Sequence, residues 1–188
     1  MQSEPFTAND DLILVDGQNN IIGYETKAKC HEGTGMLHRA FSIFVFNENK
    51  QLLLQKRSAL KPLWPLYWSN SVCSHPRRGE DDVEAAHRRL NEEIHIDIPL
   101  TFLFDFRYQA AFHDRGSENE RCSVYIGITN SKIIPNPEEI AEWKYVDLAA
   151  LDQDLDAFPD HYTPWFNIEW RRIRSDFMTD VHALTLSG

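Results

Sequence analysis

Cys73 and His75 lie two residues apart in the run Ser69-Asn70-Ser71-Val72-Cys73-Ser74-His75-Pro76. Proline disfavours the helical region for the residue before it, so His75 is expected to be extended. In an extended segment Cys73 and His75 project to the same side. A thiol beside a metal-capable imidazole can act as acid, base or ligand; a buried thiol next to a hydrogen-bonded histidine is the plain structural alternative. Glu118 and Glu120 are also two apart, leading into an alternating run, and on a strand they share a face. Such a pair suits two oxygen donors to a metal, or one ligand and one base. A solvated strand end would show the same spacing. His31 and His38 bracket a loop containing Gly33 and Gly35. These five groups are scattered along the chain, and pattern alone cannot assemble them.

The elements that would position them follow from periodicity. Leu12 to Val15 and Ile21 to Tyr24, around the turn formers Asp16-Gly17, read as a hairpin. Leu37 to Phe46 and Gln51 to Arg57 flank the polar turn Asn47 to Lys50 and predict a second hairpin. Residues 58 to 72 form an aromatic loop punctuated by Pro62 and Pro65, of a kind that seldom only connects strands. Asp81 or Asp82 can cap a helix to about Ile94, with Val83, Ala86, Leu90 and Ile94 inward. Thr101 to Tyr108, Glu120 to Thr129 and Trp143 to Val146 predict strands. Thr163-Pro164 reads as a cap followed by proline in the first helical turn, with Phe166, Trp170, Ile173 and Phe177 inward. Strands, one central helix, more strands and then helices define an α+β fold, an α/β/α sandwich.

A chain of 188 residues suits a single domain over 1–188, with residues 1–11 as a flexible N-terminal segment. The formal charge of -10 argues against a nucleic-acid partner. An anionic substrate would instead need cations concentrated locally. No basic start precedes an apolar run, and no stretch is long enough to span a bilayer, so neither secretion nor membrane insertion is expected. Cys30, Cys73 and Cys122 are too few and odd in number for a disulfide framework. A cytoplasmic monomer is the simplest expectation.

From Ser74 to Ile96 the chain reads S-H-P-R-R-G-E-D-D-V-E-A-A-H-R-R-L-N-E-E-I-H-I. This resembles the Nudix box, a loop–helix–loop that presents carboxylates to a metal–diphosphate. Glu80, Arg88, Glu92 and Glu93 fall on its charged positions, and Leu90 and Ile96 on apolar ones. Ser74 and His95 stand where the box has glycine, and Arg89 where it has a further glutamate. The loss of one metal carboxylate argues against diphosphate hydrolysis. The octapeptide, K-R-S-A-L-K-P-L-W-P at Lys56 to Pro65, D-F-R-Y at Asp105 to Tyr108, E-N-E-R-C at Glu118 to Cys122 and T-P-W at Thr163 to Trp165 follow in order. Together they resemble the type 1 isopentenyl diphosphate isomerases, which are divergent Nudix proteins. The resemblance runs from about Leu12 to Trp170.

Carried over, the resemblance implies a Nudix-like mixed sheet flanked by helices, and one divalent ion (manganese, zinc or magnesium) held by His31, His38, His75, Glu118 and Glu120. It implies a magnesium that arrives with the substrate diphosphate and is held by Glu93. Lys27, Arg57, Lys61 and Arg89 would bind that diphosphate. Cys73 and Glu120 would transfer protons, with Tyr108 as the partner of Glu120. Trp165, helped by Trp64, would offer a π face to a carbocation. The expected substrate is a small prenyl diphosphate. Two rivals differ in class: a Nudix hydrolase of small diphosphates, and a catalytically silent metal- or ligand-binding module.

Overall fold

The strand His38–Phe46 is buried on both faces, and the rest of the molecule is arranged around it. The computed structural model describes residues 11–186; the flexible segment expected at the N-terminus lies, up to residue 10, outside them. In chain order the elements are β1 (Leu12–Val15), β2 (Ile21–Glu25), α1 (Lys27–Cys30), β3 (His38–Phe46), β4 (Leu52–Arg57), β5 (Trp68–Ser69), β6 (Val72–Ser74) and α2 (Asp82–Ile94). There follow β7 (Thr101–Ala111), β8 (Ser117–Ile128), β9 (Ile140–Val146), α3 (Leu148–Ala157), α4 (Pro164–Asp176) and α5 (Met178–Leu186).

All the strands join one mixed sheet. β3 runs parallel to β8 along its whole length, from His38 opposite Glu120 to Phe46 opposite Ile128. Its other edge is shared in turn by β1, β6 and β4. β7 pairs with the outer edge of β8, and β9 with β4. Phe41, Ile43 and Val45 of β3 pack on Ala85, Ala86, Leu90 and Ile94 of α2. Ala40, Phe44 and Phe46 face the opposite way, onto Leu151 and Leu155 of α3 and Phe166, Trp170 and Ile173 of α4. Two helical layers thus enclose the sheet, giving the expected α/β/α sandwich. Burial of both faces explains why β3 reads as a continuous apolar run rather than an alternation.

The second hairpin is corrected in one respect: β3 and β4 pair only at Phe46 and Leu52, beside the turn. Beyond that point they splay, and residues 68–74 wedge between them, pairing with β4 at Trp68–Ser69 and with β3 at Val72–Ser74. Ser71 Oγ bridges the gap, donating to Leu53 O at 2.6 Å and accepting from Val45 N at 2.8 Å. Asn70 Nδ2 donates to Val72 O at 2.6 Å. These side chains replace the ladder bonds that the splay removes.

α2 begins with a capping box, in which Asp81 accepts from Val83 N and Glu84 N while Glu84 reaches back to Asp81 N. Val83 is not inward but 45% exposed, and Ala85 takes a place in the core. A side chain in the first turn leans toward the helix N-terminus and so beyond the sheet. Thr163 is the N-cap of α4 by position, but its Oγ1 lies 3.0 Å from Ser69 Oγ and makes no capping bond. The box departures also have different consequences. Ser74 is not among the residues with positive φ, whereas His95 ends α2 at φ 56°, where glycine is favoured.

Candidate active site

Three register pairs bring the polar residues together. His38 opens β3 and lies directly beside Glu120 in the parallel ladder. Tyr108 of β7 is opposite Glu120 on its other side. Cys73 of β6 is opposite Ser42 of β3. Glu118 and Glu120 share a face of β8, because the strand begins at Ser117 and includes both. His31 caps α1, and its loop is tied to β8 by Ser117 N to His31 O (3.0 Å), Ser117 Oγ to Gly33 O (2.7 Å) and Asn119 Nδ2 to Gly35 O (3.1 Å). Gly116 makes this fit possible: its φ is +141°, and a Cβ there would stand 2.4 Å from His31 O.

The result is a cluster of His31, His38, His75, Glu118 and Glu120 whose potential donor atoms all lie within 4.8 Å of one another. His31 Nδ1 is 2.6 Å from Lys27 O and His38 Nδ1 is 2.7 Å from Met36 O. A carbonyl only accepts, so each Nδ1 carries the proton and each Nε2 presents a lone pair to the cluster. His31 Nε2 is 2.7 Å from Glu118 Oε2, and His75 Nε2 is 2.8 Å from Glu120 Oε1. His38 Nε2 is buried without a hydrogen-bond partner among the described residues. Acceptors converging this closely require positive charge among them. Burial opposes a charged His31, yet the hydrogen bond and charge of Glu118 raise its pKa. Burial, together with His38 and Lys27, holds His75 well below the usual imidazole range. Five nitrogen and oxygen donors in this arrangement can hold a divalent metal ion.

His31, His75, Glu118 and Glu120 of the cluster line a cavity of about 530 Å³ together with Lys27, Arg57, Lys61, Arg89, Cys73, Tyr108, Leu63 and Trp165. Burial pushes the Cys73 thiol up to about 11 against the pull of Arg57, whose Nη1 is 3.7 Å from Sγ. The thiol is therefore protonated at neutral pH. Burial acts in the same sense on Glu120, but the nearby His38, its Nε2 3.6 Å from Oε1, and the hydrogen bond from Tyr108 outweigh it and keep the carboxyl below its ordinary value. Tyr108 donates to Glu120 Oε2 at 2.6 Å. One cavity thus presents a protonated thiol and an ionised carboxylate, the separation of protonation states that acid–base chemistry uses.

Arg57 has a second task. Its Nε donates to Trp64 O (3.0 Å) and its Nη2 to Leu63 O (2.9 Å), while its guanidinium lies 5.1 Å from the Trp165 ring centre. It clamps the aromatic loop, where Trp64 and Leu66 hold φ values of 46° and 63°. Trp165 is fixed by Nε1 donating to Ser69 Oγ at 3.1 Å and meets Trp64 edge-on. Trp64 itself stands behind the cavity wall. Arg89 pairs with Glu92 (2.9 Å), Glu93 (2.5 Å) and Glu139 (3.1 Å), and Lys61 pairs with Glu139. Glu93 is buried, lies outside the five-donor cluster and does not line the cavity. Sequence reasoning missed Arg115, which lines the cavity, and Glu139. The first sits in a turn placed by the β7–β8 pairing; the second has no local signal.

This geometry matches a known fold class. A family model described as the NUDIX domain matches residues 36–166. A crystal structure from Deinococcus radiodurans superposes with a TM-score of 0.72 at 21% identity, covering 86% of this chain and 98% of that one. A MutT protein from Methanosarcina mazei gives a TM-score of 0.61 at 16% identity, over 73% and 93% of the two chains. The chain is thus a Nudix-fold protein. Within that class, it is 45% identical over 83% of its length to isopentenyl-diphosphate Delta-isomerase 1 of Aromatoleum aromaticum, covering 88% of that protein. It is 46% identical over 82% of its length to isopentenyl-diphosphate Delta-isomerase 2 of Photorhabdus laumondii, covering 87% of that one. The chain belongs to the isopentenyl-diphosphate Delta-isomerase family.

Proposed function

We propose that this chain interconverts isopentenyl diphosphate and dimethylallyl diphosphate for isoprenoid biosynthesis, with Cys73 and Glu120 as the proton-transfer pair. The observation that carries the reading is the protonated thiol and the ionised carboxylate facing one cavity alongside the basic side chains of Lys27, Arg57, Lys61 and Arg89. The substrate alkene is unactivated. Protonation at its terminal carbon yields a tertiary carbocation, and loss of a proton from the carbon nearer the diphosphate completes the shift. One of the pair gives the first proton and the other takes the second; each keeps its carbon, so the roles exchange with the direction of reaction. Tyr108 holds Glu120 by its hydrogen bond. Trp165 provides the π face for the cation, and with Leu63 it makes that wall of the cavity apolar, which keeps water from trapping it.

His31, His38, His75, Glu118 and Glu120 would hold manganese, zinc or magnesium, which supplies fixed positive charge beside the Glu120 carboxylate. Glu93 would hold a magnesium carried in with the diphosphate. Lys27, Arg57, Lys61 and Arg89 would bind the diphosphate itself. The working form is a cytoplasmic monomer; among the described residues no helix is long and apolar enough to cross a membrane.

A Nudix hydrolase is disfavoured by a specific arrangement. Arg89, standing where the box has a glutamate, pairs with Glu92 and Glu93. Incubation with isopentenyl diphosphate in deuterated water, with magnesium and manganese present, separates the two by NMR. Deuterium is expected in the methyl group of dimethylallyl diphosphate, with both phosphates retained. Phosphate release without deuterium uptake would overturn the isomerase reading.

A further inference from the structure

Two of the cations on the cavity wall, Lys61 and Arg89, are already occupied by a carboxylate outside the Nudix-box helix. Glu139 receives Lys61 Nζ on Oε2 and Arg89 Nη2 on Oε1, the latter at 3.1 Å. Its backbone is anchored at both polar groups: Glu139 N donates to Asn136 O at 3.0 Å, and Glu139 O accepts from Ser58 N at 2.9 Å. The carboxylate can therefore swing away while the main chain stays in place. From these contacts we infer that Glu139 is a built-in counter-anion, holding Lys61 and Arg89 in the substrate-free protein and displaced from them by the incoming diphosphate.

The physical need for such a group is clear from its surroundings. Burial, and repulsion from Lys27, Arg57 and Arg89, push the Lys61 ammonium down to about 7 although Glu93 acts in the other direction. Crowded cations repel one another. One carboxylate bridging both offsets that repulsion and holds them at the cavity. A diphosphate brings more negative charge and more acceptor oxygens to the same two donors, so it can take over both contacts. The freed Glu139 would then be repelled by the ligand. Affinity for the substrate is therefore set below what the bare cations would give, and release is eased.

The inference rests on the reading of Lys61 and Arg89 as diphosphate-binding groups, and the test separates the two. Inorganic diphosphate is titrated calorimetrically into the full chain in the presence of a chelator, for the wild type, Lys61→Met and Glu139→Gln. Lys61→Met is expected to weaken binding, whereas Glu139→Gln, which keeps shape but removes charge, tightens it by about three- to tenfold. Tightening is not the result of mere structural damage. A Lys61→Met variant that binds like the wild type would sink the diphosphate reading of the cations. Weakening by Lys61→Met without tightening by Glu139→Gln would overturn only the counter-anion. A repeat with magnesium guards against another role: weaker binding of Glu139→Gln there alone would make Glu139 a metal ligand and overturn the inference.

Discussion

At Cys73 the proposed chemistry depends on a single sulfur atom. Its thiol is kept protonated by burial and approached by Arg57. Cys73→Ala removes the group and should lower turnover by ~10²–10⁴-fold, the usual cost of losing a positioned acid or base. Cys73→Ser, whose hydroxyl is a much weaker acid, should lose somewhat less. Circular dichroism should show both variants folded. An alanine variant with wild-type turnover would exclude Cys73 from the reaction. His38 and Glu118 make a different demand, because His38 Nε2 is buried without a hydrogen-bond partner among the described residues and Glu118 Oε2 meets His31 Nε2, itself a cluster member, at 2.7 Å. His38→Ala or Glu118→Ala should weaken metal retention by at least about tenfold. Elemental analysis after dialysis checks this independently of rate, and undiminished metal in both variants would rule out the five-donor site.

The wedge between β3 and β4 and the end of α2 are the elements most open to test. Ser71 joins Val45 N to Leu53 O across the splay. Ser71→Ala should destabilise the fold by about 1–3 kcal/mol, because two backbone groups are left buried and unpaired. A lower urea midpoint is the expected result; an unchanged midpoint would mean that water fills the gap. At the end of α2, His95 holds a left-handed conformation. His95→Gly should relieve that strain and stabilise by up to about 1 kcal/mol. The opposing loss is the contact of His95 Nδ1 with Ile134 O at 2.8 Å. A reduced melting temperature would show that contact to be the stronger term.

Across the whole molecule, the layer of α3, α4 and α5 seals the sheet at the cost of one buried acid. Glu169 of α4 is fully buried, accepts from Cys122 Sγ at 3.4 Å and leaves Oε2 without a partner among the described residues. Burial pushes its carboxyl up to about 8. The folded protein therefore keeps a proton that the unfolded chain has released above the ordinary carboxylate range. Stability tied to this proton is complete at low pH and is lost as pH rises toward about 8. Glu169→Gln cannot ionise, so its stability relative to wild type should grow by on the order of 1–3 kcal/mol between about pH 5 and 8. Urea unfolding at both ends of that window measures the difference. A constant offset between the two proteins would mean that Glu169 does not titrate there.

Much of this was legible in the residues because it is local. The capping box at Asp81 and Glu84, the same-side placement of Glu118 and Glu120, and the apolar run of β3 each depend on neighbours a few positions away. The quoted motifs, in their order, also pointed to the family that the relatives then showed. Other features depend on contacts between distant segments. The pairing of His38 with Glu120 arises from a parallel register between strands far apart in the chain, and only that register turns scattered histidines and glutamates into one cluster. The wedge at Ser71, the exposure of Val83 and the bridge from Glu139 to Lys61 and Arg89 were likewise decided by tertiary packing. Periodicity specifies which face a side chain takes on its own element; which partner meets that face is set by how the layers close.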